Sequence, residues 1–182
     1  MTRAIFLIIY NLIRISFMRI RHGKRCKIHW LQRISPGAHI SLSGNGRMTI
    51  GRNAEFSQGC DFQVHGEGQL SIGGTTYFNR YCMISAHGKV DVGEHCLFGP
   101  GVKIFDNNHK FDSDGVSTNL SIGEIHIGDR CWIASDAIIL KGAQIGDGCV
   151  IGAGCIIDHE VPAGSIVRLR QSQTVTTIET IS

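Results

Sequence analysis

Residues 127–161 read IGDRCWIASDAIILKGAQIGDGCVIGAGCIIDHEV, with isoleucine at 127, 133, 139, 145, 151 and 157. Four residues after each stands a small or compact side chain: Cys131, Ala137, Ala143, Cys149, Cys155 and Val161. A period of six matches neither an α-helix nor a half-buried strand, whose side chains repeat every 3.6 and every 2 residues. It fits a parallel β-helix, in which each hexapeptide forms one short strand and one corner. Three hexads close a triangular coil of roughly 18 residues, and each coil adds roughly 4.8 Å along the axis.

Upstream, the same phase runs in triplets: Ile28, Ile34, Ile40; Ile50, Phe56, Phe62; Ile72, Phe78, Ile84; Val92, Phe98, Ile104. Between triplets it jumps at GNGR (44–47), HGEG (65–68) and HGK (87–89). These glycine-rich inserts read as enlarged corners stacked on one another. The largest break lies between Ile104 and Ile127, where residues 105–126 are too polar for a core. Residues 110–122 of it read as a loop projecting from a rigid prism, a usual setting for a binding site. The chain thus divides into an N-terminal segment 1–25, a β-helix 26–166 carrying the loop 105–126, and a tail 167–182.

Of 182 residues, 23 are glycine and 18% are charged, which suits a solenoid rich in corners. The net charge of +3 is too weak to argue for a nucleic-acid partner. Seven cysteines invite a disulfide or zinc reading, but six of them fall at the small-residue position of the repeat, and no CxxC pair occurs. They read as small buried packers, and unpaired core thiols suggest a reducing compartment, the cytoplasm. No metal site is expected.

Residues 1–25 carry six Lys and Arg and no acid. Arg3, Arg14, Arg21 and Arg25 share one stripe of a helical wheel, with Ile5, Ile8, Ile9, Leu12, Ile13 and Phe17 largely elsewhere. The apolar run Ala4 to Tyr10 falls short of the about 20 residues that span a bilayer, and no small-residue cleavage site follows. The segment reads either as a helix on an anionic membrane surface or as a cap on the open end of the β-helix. The two are compatible.

His109 stands in Asp106-Asn107-Asn108-His109 at the base of the loop. An imidazole takes a proton near neutral pH, and a neighbouring carboxylate or amide, Asp106 or Asn108, can fix its tautomer. His65, His87 and His109 are spaced by 22 but are not equivalent within the repeat, so they do not read as a metal-binding column.

The stretch from Ile125 to Gly164 resembles the signature of the hexapeptide-repeat acyltransferases, closest to the sugar and polysaccharide O-acetyltransferases. The likeness covers about Ile50 to Ile166. It implies a left-handed parallel β-helix, an exception to the usual right-handed crossover, and a homotrimer with acetyl-CoA and a saccharide held between neighbouring prisms. Position by position, it implies that His109 is the general base and that Trp132 walls the site. The amide of Ser135 would face the thioester, and that of Ala153 would hold the pantetheine arm, with Ala134 and Gly152 beside them. Asn79 matches an acceptor-binding asparagine. His87 falls where the galactoside type has an acceptor-binding acid. His159 stands where the family often has Lys or Arg near the coenzyme phosphates, and Arg168 and Arg170 are candidates to supply that charge. Each has a plainer reading: Trp132 at a subunit interface, Asn79 capping a corner, Lys141 as an exposed corner lysine.

The expectation is an acetyl-CoA-dependent O-acetyltransferase acting on a saccharide, with direct attack by the acceptor hydroxyl. An N-acetyltransferase of an amino sugar and a serine acetyltransferase are alternatives. A zinc carbonic anhydrase on the same coil needs three converging histidines, two of them close together in one chain, and no such pair appears. A β-helical scaffold without activity would leave the loop with His109 and Trp132 unexplained.

Overall fold

The computed structural model describes residues 3–113 and 115–169. Three parallel sheets form the walls of a triangular prism of about six coils. Sheet A runs through seven strands from Cys26–Ile28 to Glu160–Val161, and sheet B through seven from Arg33–Ile34 to Ile166–Val167. Sheet C has six, from His39–Leu42 to Ile156–Ile157. The chain visits A, B and C in turn, so every coil has an A–B, a B–C and a C–A edge.

The hexad residues form the core, as the period predicts. Ile127, Ile133, Ile139, Ile145, Ile151 and Ile157 are at most 1% exposed. Phe56, Phe62, Phe78 and Phe98 fill the earlier coils, with Phe78 and Phe98 stacked at 4.1 Å between ring centroids. All seven cysteines are buried and free. A hydrogen bond to the cysteine of the adjacent coil, Cys60 or Cys131, together with burial, pushes Cys82 and Cys96 above the usual thiol range. Both are thereby held as thiols that pack rather than react.

The repeat length changes along the prism. Ile50 lies opposite Ile72, a 22-residue coil, whereas Ile127 lies opposite Ile145, an 18-residue coil. The extra residues sit at one place. All three glycine-rich inserts fall at the C–A edge, between Leu42 and Arg47, Val64 and Gln69, and Ala86 and Lys89. They stack closely: a Cβ on Gly44, which has φ +59°, would stand 2.8 Å from the Gly66 carbonyl oxygen.

The same edge carries the segment expected as a loop over 105–126. It is an antiparallel hairpin, Asn107–Asp112 against Gly115–Ile122. Phe105 still ends the sheet C strand Lys103–Phe105, and the coil resumes at Glu124–Ile127 with Ile125 buried. The polar sequence therefore marks exposed paired strands, not irregular backbone.

The N-terminal helix, Arg3–His22, lies over the first coil. Ile15 and Met18 enter the core, and buried Asn11 donates from Nδ2 to the Ile34 carbonyl at 3.0 Å. The helix therefore caps the prism. Arg14, on the predicted basic stripe, turns to the prism: its guanidinium donates to the Ala38 carbonyl at 2.7 Å and to the Ser35 carbonyl. Corner carbonyls at the end of a solenoid have no further coil to serve them, and Arg14 fills that need. Arg25 does the same for Gly44, and Arg19 lies over the Trp30 ring at 4.3 Å.

Candidate active site

His109 stands on the outgoing strand of the hairpin, opposite Leu120 and beside a β-bulge before Phe111. Its Nδ1 lies 3.1 Å from the Ser117 carbonyl oxygen. A carbonyl only accepts, so Nδ1 carries a proton, and in the neutral ring Nε2 keeps its lone pair. The exposed ring thus presents a basic nitrogen outward.

Asp106 does not do what its nearness in sequence suggested. Its carboxylate is fully buried and accepts from the His87 amide at 2.9 Å, the Gly88 amide at 2.7 Å and Asn107 Nδ2 at 3.0 Å. It ties the root of the hairpin to the corner of the preceding coil, and the tautomer is fixed by a backbone carbonyl instead. Asn108 is exposed and stands opposite Ser121, without a bond to the ring. A second tether runs from Lys141 Nζ to Ser121 Oγ, so this lysine is more than a surface corner residue. Gly88 permits the root to lie flat: a Cβ there would meet Ile122 Cγ2 at 2.4 Å.

The residues matched to the coenzyme lie elsewhere, stacked on the B–C edge. Here each coil turns through a corner whose second residue points its amide away from the ladder. In successive coils that residue is Pro36, Gln58, Arg80, Pro100, Ser135 and Ala153. The prolines have no N–H, and the Arg80 amide donates to Asn79 Oδ1 at 2.8 Å. Ser135 and Ala153, one coil apart, make no backbone N–H bond within the described chain. Two adjacent free donors thus face outward at the positions the resemblance picked. Ala134 and Gly152 do not join them, because their amides are spent on the ladder, to Ile151 at 2.8 Å and Val167 at 2.9 Å. Arg168 follows on the same edge, its Cα 3.5 Å from where a Cβ of Gly152 would be. Arg170 lies outside the described residues.

Four further candidates fall into place around these two edges. Asn79 sits on the B–C edge and caps its own corner, which is the plainer of its two readings. Trp132 opens a sheet B strand between Leu97 and Val150 and leaves its ring 53% exposed on the outer face. His87 is on the C–A edge, stacked on His65 at 4.7 Å. Burial and the His65 ring lower its pKa, while Asp106 opposes them. His159 lies on the C–A edge too, with Nδ1 3.0 Å from Asp158 Oδ1. It therefore faces the far side of sheet C from Ala153. Among the described residues no three His, Cys, Asp or Glu side chains gather as a metal-binding group.

Sequence reasoning missed the Ser117 carbonyl, the Lys141–Ser121 tether and the proline column. Only the last leaves a sequence signal, in Pro36 and Pro100 at one position of the repeat.

Comparison with known proteins gives the same picture. The profile of the bacterial transferase hexapeptide family (six repeats) matches residues 124–159. Nodulation protein L of Rhizobium meliloti (strain 1021) is 38% identical over 80 residues, 43% of this chain and 44% of that protein. The putative colanic acid biosynthesis acetyltransferase WcaF of Escherichia coli (strain K12) is 26% identical over 80 residues, 44% of this chain and 43% of that protein. The chain therefore aligns with less than half the length of these curated relatives. Among solved structures, AntD, an N-acyltransferase from Bacillus cereus in complex with dTDP and 3-hydroxybutyryl-CoA, superposes with a TM-score of 0.65. It is 15% identical, over 83% of this chain and 81% of that one. The hexapeptide-repeat acetyltransferase VCA0836 from Vibrio cholerae O1 biovar eltor, complexed with acetyl coenzyme A, gives 0.54 at 16% identity, over 91% and 84%. At such identities the likeness concerns the fold. Repeat, coil and profile agree: residues 124–159 match the bacterial transferase hexapeptide family, and the same hexad builds the coils before them.

Proposed function

We propose that the protein transfers an acetyl group from acetyl-CoA to a hydroxyl of a saccharide. The observation that carries this reading is the tautomer of His109, whose Nδ1 is committed to Ser117 and whose Nε2 is free to accept a proton. Acetyl-CoA supplies an activated acetyl group, and the chain supplies the rest. His109 Nε2 takes the proton of the acceptor hydroxyl as that oxygen attacks the thioester carbonyl; the C–S bond then breaks, and coenzyme A leaves as the thiol with that proton, the base contributing about 10²- to 10⁴-fold. The free Ser135 amide donates to the charge that develops on the carbonyl oxygen, worth about 10²- to 10³-fold. The Ala153 amide and Arg168 supply a donor and a positive charge further along the same edge. The names of the relatives support the class: one is a putative acetyltransferase of colanic acid biosynthesis. The basic segment 1–25, without an acid, favours an acceptor that is polymeric or lipid-linked and is met at the inner face of a membrane.

The two halves of this site belong to different protomers in the proposed reading. The hairpin leaves the C–A edge and the free amides line the B–C edge, with sheet C between them. Its strand Met83–Ala86 has four residues and so is roughly 13 Å wide. A cyclic homotrimer lays the C–A edge of one prism against the B–C edge of the next and closes that gap.

Mass spectrometry of saccharide acceptors after incubation with acetyl-CoA tests the chemistry, with amino sugars and serine offered in parallel. His109→Ala is expected to fold normally and lose at least about 100-fold in kcat. Ser135→Pro removes the donor in a corner whose column already accepts proline, and is expected to lose a similar factor. Mixing the two inactive variants under subunit exchange is expected to restore activity, because some interfaces then combine an intact His109 with an intact Ser135. Wild-type turnover in His109→Ala ends the assignment, and absence of rescue ends the shared site.

A further inference from the structure

The N-terminal helix has a second apolar face that the cap does not use. Asn11, Ile15 and Met18 point into the protein. On the opposite side Ile5, Ile9, Ile13, Phe17 and Ile20 form a continuous stripe, with Ile13 66%, Phe17 64% and Ile20 84% exposed. A capping helix needs one apolar face, and large apolar side chains left in water along a whole second face mark an interaction surface.

Beside this helix, on sheet A of the first coils, lies an open groove of about 880 Å³. Six cationic side chains line it, Arg19, Lys24, Arg25, Lys27, Arg47 and Lys89, against one acid, Asp91. Asp91 faces His126 at 3.4 Å, and Lys89 meets Glu124 only at 3.8 Å. Arg19 and Lys24 come from the end of the helix and the turn after it, so groove and stripe adjoin at one end of the prism.

We infer that this end of the molecule docks on an anionic lipid bilayer, with the outer stripe of the helix sunk among the acyl chains and the groove holding lipid headgroups. An amphipathic helix with apolar residues on one side and Lys and Arg around it is the arrangement that lies in the plane of a membrane interface. The outer face is open and convex, so it suits a fluid surface more than a single bound tail. Charge decides between a bilayer and a second copy of this chain. Residues 1–25 contain six Lys and Arg and no acid, so pairing two such helices brings arginine against arginine. Acidic headgroups complement them, at about 1 kcal/mol per basic residue near the surface. Twenty helical residues lie along the interface rather than through it. No helix among the described residues is long and apolar enough to cross a membrane.

The full chain is tested by co-sedimentation with vesicles of phosphatidylcholine alone and of phosphatidylcholine with phosphatidylglycerol, at low and at high salt. Binding is expected to the anionic vesicles, at least tenfold tighter than to the neutral ones, and to weaken in high salt. Two variant sets probe the two parts: Ile13→Ser with Phe17→Ser and Ile20→Ser, and Lys27→Glu with Arg47→Glu and Lys89→Glu. All six side chains point away from the core, and circular dichroism checks that each variant keeps its fold. Each set is expected to weaken binding at least tenfold while acetyl transfer to a soluble acceptor stays unchanged. Wild-type protein that ignores anionic vesicles overturns the inference, and so does binding that survives either set. A stripe set that only breaks up an oligomer, seen by sedimentation velocity, assigns the face to another copy and overturns it too. Vesicle binding is read without turnover, so docking and acetyl transfer fail separately.

Discussion

The coils before the hairpin and the coils after it solve one packing problem in two ways. Before it, coils of 22 or 20 residues put two inward residues on strands of sheets A and C, as in Arg47–Ile50 and Asp61–Val64, and fill the wider triangle with phenylalanine. After it, coils of 16 or 18 residues put one inward residue on the matching strands, Gln144–Ile145 and Ile138–Leu140, and isoleucine with alanine or cysteine fills the space. The surplus residues of the wide coils are confined to the C–A edge, and the hairpin leaves from that edge at the step between the two halves. The difference teaches that the phase breaks are positional information. The strict array fixes the rungs, and the loose array shows which edge tolerates insertion.

The largest effect expected outside the proposed active residues tests the wide half. Phe78 touches Phe56, Phe62 and Phe98, so Phe78→Ala should cost about 3–5 kcal/mol in urea unfolding. Neighbouring coils stabilise one another in a solenoid. Hydrogen exchange should therefore show protection falling first over residues 26–105, with 124–161 holding longer. Simultaneous loss in both halves would make them one cooperative unit and blunt the comparison.

Next comes the step itself. Asp106→Ala leaves the His87 and Gly88 amides without their acceptor, at about 1–3 kcal/mol. It should also lower kcat by loosening the hairpin root. Loss of stability with unchanged kcat would detach the root from the position of His109.

A smaller gain is expected at Thr75, a β-branched residue held at φ +56° on the A–B edge. Glycine accepts that conformation freely, so Thr75→Gly should raise the unfolding midpoint slightly, by less than about 1 kcal/mol. The smallest effect is a pH dependence. The His87 pKa is lowered in the folded protein, so the unfolded chain takes up its proton first on acidification. The contribution of the neutral ring is whole above about pH 6.5 and is lost as pH falls toward the lowered folded value. His87→Gln should flatten the fall in stability between pH 7 and 5.

Much of this was legible because a β-helix writes its core directly into the sequence period. The hexad placed the inward isoleucines of the prism apart from Ile125, and the edge that carries the inserts. The resemblance, not the period, singled out Ser135 and Ala153. What escaped reading depends on partners remote in sequence. Asp106 is three residues from His109, which suggested a direct bond, yet the carboxylate serves amides about twenty residues earlier. Arg14 stood in one stripe with Arg3, Arg21 and Arg25 on a helical wheel, which does not show the bare carbonyls at the end of the prism. The carbonyl that sets the His109 tautomer belongs to Ser117, and a backbone group leaves no trace in residue identity.

The hairpin is held twice at its root, through Asp106 and Lys141, and is bare at its tip, where Phe111 and Val116 are 81% and 76% exposed. Evolution can therefore lengthen, shorten or recolour the tip without disturbing His109 nearer the base. On the proposed reading, a lineage of such proteins is free to change its acceptor while keeping its chemistry.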